Sequence, residues 1–67
     1  MTNILKKFGQ KVRSYRKDKK ISQEEFAKIC KLHRTYISQV EVGRRNIALK
    51  NVAKIAMALG VPPKDLL

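Results

Sequence analysis

Residues 22–43, SQEEFAKICKLHRTYISQVEVG, read as two short helices joined by a tight turn, and that pairing leaves a 67-residue chain few other ways to fold. Ser22 with Glu25 three residues on has the form of a capping box, in which each side chain accepts from an otherwise unpaired N–H of the other residue. Ile21 before the cap and Phe26 after it occupy the two positions of a hydrophobic staple, so the first helix has a defined start. Phe26, Ala27, Ile29 and Cys30 recur at helical spacing, and the small Ala27 lets another helix come close. Lys31 and Leu32 break the pattern. His33 falls where a second N-cap belongs, and Ile37 with Val40 gives the next helix, about residues 33–42, its own buried side.

The other side of that second helix carries the information. At about 100° per residue, Arg34, Thr35, Ser38 and, at the boundary, Gln39 point away from Ile37 and Val40. The face holds donors and acceptors but no acidic group and no large apolar one. Arginine can bond both acceptors of guanine, threonine and serine can bond either kind of base edge, and glutamine can pair with adenine. Such a helix suits a DNA major groove, with its N-terminal residues nearest the bases. A solvated polar face is the commoner meaning of such a pattern. Charge tips the balance, because sixteen Lys and Arg against five Asp and Glu leave +11 and a pI ≈ 10.3, the footprint expected of a polyanion binder.

With these residues the chain resembles the Cro and phage-repressor type of helix-turn-helix regulator, the XRE family. The run RTYISQVEVGRRNIALKNVAKIAMALGV at 34–61 is similar to the controller proteins of restriction-modification systems in particular. The resemblance covers nearly the whole chain. It rests on SQEEFA opening the first helix of the pair, RTYIS opening the second, Glu41 and Gly43 closing it, and KIAMALGV ending the helix after that. It implies an all-α, compact five-helix repressor-type domain, with the helix-turn-helix formed by helices two and three, that dimerises and binds palindromic operators. It also implies that Arg34, Thr35 and Ser38 read bases, that Gln39 does so as in phage relatives, and that Gln23, Tyr36, Arg44, Arg45 and Asn46 lie near phosphates. Arg16 and Glu41 match a partly buried ion pair that ties the first helix to the third. The family usually has glycine where this chain has Lys20 and Lys31, and a left-handed backbone at a non-glycine residue costs about 1–2 kcal/mol. Some loss of stability or a slightly altered turn is expected there, without a change of fold.

The rest of the chain fits one domain, residues 1–67. Met1 to Asn3 are expected to be a loose start, with Thr2 or Asn3 capping the first helix. Ile4, Phe8, Val12 and Tyr15 make residues up to about Asp18 an amphipathic helix. Gly9 inside it costs about 1 kcal/mol relative to alanine, and the opposite face is basic. Gly43 can end the recognition helix, and Arg44, Arg45 and Asn46 follow as a polar loop suited to phosphates. Ile47, Leu49, Val52, Ile55, Ala56 and Leu59 mark a further helix, about 49–59, stopped by Gly60. Ala48 is a poor cap for it, and Met57 reads as core filler. In VPPKDLL the prolines fit a turn or the opening of a short helix. Its leucines could fold onto the core, but the family resemblance assigns the end of the chain, about residues 57–67, to a homodimer interface around Met57, Val61, Leu66 and Leu67.

An enzyme is not expected. The chain has one histidine and one cysteine, no G-x-S-x-G elbow and no phosphate loop, and His33 with Cys30 cannot make a metal site alone. Glu24 and Glu25 suit a first helical turn, and His33 reads as a cap or a neighbour of phosphate. No cofactor, small-molecule effector or membrane partner is expected. The expected partners are double-stranded DNA and a second copy of the chain. A lone Cys30 on an apolar face is expected to pack as a small hydrophobe in a reducing cytosol, and the absence of signal or membrane-spanning runs points to the cytoplasm. The competing readings are an antitoxin or protein-interaction adaptor built on the same fold, and a cationic protein lying on a membrane surface.

Overall fold

The computed structural model describes residues 3–67, so the expectations placed on Met1 and Thr2 lie outside the described residues. Four α-helices follow one another: α1 (Ile4–Asp18), α2 (Gln23–Cys30), α3 (Arg34–Glu41) and α4 (Leu49–Leu59). A single 3-10 turn, Pro63–Leu66, stands where the fifth helix is expected. Neither Pro62 nor Pro63 has an N–H to give, and the bonds that form close tightly, Asp65 N–H to Pro62 O at 3.0 Å and Leu67 N–H to Lys64 O at 3.2 Å. Among the described residues there is no strand.

Local chemistry sets the helix starts. Asn3 Oδ1 accepts from the N–H groups of Leu5 (3.0 Å) and Lys6 (3.3 Å), and Ser22 Oγ accepts from Glu25 N–H at 3.1 Å. The return bond of the capping box is not among the hydrogen bonds of the described residues. His33 and Ala48 hold the extended N-cap backbone of α3 and α4 without a side-chain bond.

All four helices end in the same way. Residues 20, 31, 43 and 60 take positive φ, two of them lysines (Lys20 58°, Lys31 60°) and two glycines. At Lys31 the left-handed turn is closed by two backbone bonds, Lys31 N–H to Lys28 O at 3.2 Å and Leu32 N–H to Ala27 O at 2.9 Å. Lysine therefore accepts the left-handed conformation that glycine would hold without strain. Lys31→Gly is expected to raise stability by about 0.5–1 kcal/mol, the relief of strain exceeding glycine's added freedom in the unfolded chain. Urea denaturation would show it as a higher midpoint at unchanged slope. An unchanged or lower midpoint would mean that the turn is already relaxed.

Phe8 and Val12 of α1, Phe26, Ala27 and Cys30 of α2, Ile37 and Val40 of α3, and Val52, Ile55, Ala56 and Leu59 of α4 form one buried cluster. Because α1 commits Phe8 and Val12 to this core, its apolar side is not free for a membrane, and no helix among the described residues is long and apolar enough to cross one. Several expected core positions lie outside it. Met57 is 82% exposed rather than core filler. Ile29 sits at the edge of a stripe centred on Phe26, Ala27 and Cys30 and is half exposed, while Ile4 and Leu49, the first residues of their helices, remain outside. Leu66 reverses its expected role: it is fully buried within its own chain, closing the core beneath α1 and α4 with nothing left for a partner. Burial pushes the Cys30 thiol up to about 11 against the opposing pull of Lys54. At neutral pH it is a protonated, unreactive packing group.

Candidate nucleic-acid interface

The position of α3 is fixed from behind. Ile37 and Val40 are buried against α1 and α2, and Glu41 at the end of α3 is bound in a network. Arg16 Nε donates to Glu41 Oε2 at 2.6 Å and Arg16 Nη2 to Oε1 at 3.1 Å, a two-pronged pair. Arg16 Nη1 donates to Ile21 O at 2.7 Å, and Gln23 Nε2 adds a bond to Glu41 Oε1 at 3.1 Å. Both charged side chains are almost wholly buried. Among the described residues no buried side-chain nitrogen or oxygen lacks a partner. The network joins α1, the start of α2 and α3, so the carboxylate at the end of α3 is already neutralised.

On the solvent side, Arg34 and Thr35 are exposed in the first turn of α3, with Ser38 and Gln39 half-buried one turn further on. Together with Gln23 they line a shallow, open concavity. Arginine, hydroxyl and amide groups thus converge at the N-terminal half of one helix with no carboxylate among them. That arrangement offers hydrogen bonds to the edges of stacked bases and suits a groove wide enough to admit a helix. Gln23, expected near phosphate, lies in this concavity but spends one amide hydrogen on Glu41.

Beside the concavity runs a second set of contacts. Arg44, Arg45 and Asn46 are all exposed in the loop after α3. Arg45 is not free: its guanidinium lies 4.9 Å from the centre of the Tyr36 ring, and its Nη1 donates to Gln39 Oε1 at 2.9 Å. The Tyr36 hydroxyl in turn accepts from Asn51 Nδ2 at 3.0 Å, which anchors the ring to α4. Sequence reasoning missed Asn51. It carries no pattern signal, being one polar residue beside the apolar stripe of α4. The Arg45 to Gln39 bond is likewise invisible at six residues' separation across a helix end. Among the described residues no group of three or more His, Cys, Asp or Glu could hold a metal ion.

Comparison with known proteins bears on this geometry. The family model described as Helix-turn-helix matches residues 12–66. The chain is 59% identical over 66 residues to the control protein C.BamHI of Bacillus amyloliquefaciens, covering 97% of this chain and 82% of that protein. It is 43% identical over 67 residues to the control protein C.MunI of a Mycoplasma species, covering 98% and 90%. The crystal structure of the restriction-modification controller protein C.AhdI from Aeromonas hydrophila superposes with a TM-score of 0.91 at 44% identity, over 94% of this chain and 96% of that one.

Proposed function

Because the chain belongs to the DNA-binding, XRE-type helix-turn-helix family, among the restriction-modification controller proteins, we propose that it binds palindromic operators as a homodimer and controls the transcription of a restriction-modification system. The reading is carried by the outer face of α3, where exposed Arg34 and Thr35 and half-buried Ser38 and Gln39 meet without a carboxylate. In the complex, two copies of α3 enter successive major grooves about 34 Å apart on one side of the duplex. Arg34, Thr35 and Ser38 read base edges, while Arg44, Asn46 and the free edge of Arg45 bond phosphates and set the register. Tyr36, half-buried beneath Arg45, supports that phosphate-side loop.

The second copy covers the end of α4. Met57 and Leu67 are exposed there, beside half-buried Val61, and Ile29, Met57 and Ala58 line a trough of mainly apolar surface. Sedimentation at tens of micromolar, an order of magnitude suited to a small interface, is expected to give the dimer mass. A monomer at that concentration would remove the two-fold model.

The function is tested by fluorescence anisotropy at about 0.15 M salt, comparing duplex from immediately upstream of its own gene with a scrambled duplex. Preference for the native sequence by about a thousandfold or more is expected. Equal binding would reduce the charge to a general attraction for polyanions. Arg34→Ala is expected to cost about 1–3 kcal/mol on the operator and to relax preference at one position of each half-site. Equal losses on every sequence would make Arg34 a phosphate contact instead.

A further inference from the structure

We propose that Arg45 decides which base Gln39 reads, holding the amide oxygen so that only the NH2 end is offered to the groove, an arrangement that selects guanine over adenine. The inference rests on the DNA-binding reading above and adds a determinant of specificity to it. A guanidinium has only donors, so the amide atom that faces Arg45 Nη1 at 2.9 Å must be the oxygen, and the orientation of the Gln39 amide follows from chemistry alone. The bond is charge-assisted, and it is held in place from below. Arg45 rests on the Tyr36 ring, and the Tyr36 hydroxyl is bonded to Asn51 of α4. Three segments of the chain, α3, the loop after it and α4, therefore fix one side-chain amide.

A free glutamine matches adenine with its oxygen toward the N6 amino group and its nitrogen toward N7. Here the turn of the amide is set by Arg45 rather than by a base: the bond directs the oxygen toward the loop after α3, where its second lone pair also lies. The end turned away from the loop is the NH2 donor. Guanine presents two acceptors in the major groove, N7 and O6, whereas adenine presents one acceptor and a donor that would face the NH2 group unfavourably. Gln39 lines the same concavity as Arg34, Thr35 and Ser38, so it belongs to the face that meets the groove. Arg45 keeps Nη2 and Nε for phosphate, and one residue thereby couples register to base choice.

Selection from a randomised duplex library by the full chain and by Gln39→Ala, Arg45→Ala and Arg45→Lys tests this. Gln39→Ala is expected to flatten preference at one position per half-site. At that position the unaltered chain should favour guanine over adenine by about tenfold or more. Arg45→Ala should bind all sequences more weakly and move that one ratio towards adenine by a similar factor. Arg45→Lys keeps the charge but lacks the planar fork and the stack, so it should regain affinity without regaining the guanine preference. A uniform loss in Arg45→Ala with the ratio unchanged overturns the inference, as does adenine at that position in the unaltered chain, or no position that responds to Gln39→Ala. In each of those cases an intact preference at the position read by Arg34 shows that sequence-specific binding itself stands. Enrichment of no sequence by the unaltered chain overturns both.

Discussion

Glu41→Ala is expected to destabilise the fold by about 3–5 kcal/mol, because it leaves the buried Arg16 guanidinium without its counter-charge. The size follows from burial: the Glu41 side chain is 1% exposed and that of Arg16 9%, so water cannot replace the lost carboxylate. Gln23 would lose its acceptor in the same step. A small domain has about 5 kcal/mol or little more in hand, so the variant should keep only about 2 kcal/mol or less of its stability. Urea denaturation followed by circular dichroism is the measurement. Exposed Glu24, replaced by alanine, is the control and should move stability by no more than about 0.5 kcal/mol. The double replacement Arg16→Met with Glu41→Leu removes both charges and should recover much of the loss. Recovery stays incomplete because Ile21 O also loses the Arg16 donor. A cost below about 1 kcal/mol for Glu41→Ala would place the pair with exposed ion pairs and sink the structural role given to it.

That pair shows where sequence reading succeeds and where it stops. The four helices were legible because their apolar residues repeat at helical spacing and their ends carry Asn3, Ser22, Gly43 and Gly60, each with a local chemical meaning. The outward face of α3 was legible for the same reason, since Ile37 and Val40 define the inside and leave Arg34 and Thr35 no other place. Exposure at helix ends was not legible: periodicity puts Ile4 and Leu49 on the right side but cannot tell that nothing lies beyond the first turn to cover them. Leu66, assigned to an interface by the resemblance, is instead buried because the tight turn at Pro62 and Pro63 directs it inward, which no repeat of three or four residues encodes. Met57 is exposed, against its reading as core filler but not against its place in the expected interface. Side-chain bonds between segments, such as Arg45 to Gln39 and Asn51 to Tyr36, depend on how α3 and α4 meet. They exist only once the packing exists.

Gly9 is where local propensity and packing disagree most sharply. Gly9→Ala in an isolated helix would add about 0.5–1 kcal/mol of stability. In this fold it is expected to cost about 3 kcal/mol, because α1 and α3 cross backbone to backbone at that point. A methyl group on Gly9 would overlap Val40 O and come within 2.7 Å of Glu41 O. These are main-chain carbonyls of the helix that carries Arg34, Thr35 and Ser38, so no flexible side chain can turn aside. Relief requires α3 to shift as a body away from α1, which loosens the Arg16 to Glu41 pair and re-aims the outer face. Two consequences should therefore appear together, a lower urea midpoint and weaker operator binding under conditions where the variant is still folded by circular dichroism. A variant as stable as the parent would show that the helices can separate at no cost, and the close crossing would then have no part in setting the angle of α3. Loss of stability with operator affinity intact would instead mean that the shift is absorbed within α1, with α3 kept in place by its contacts to α2 and by the Tyr36 to Asn51 bond.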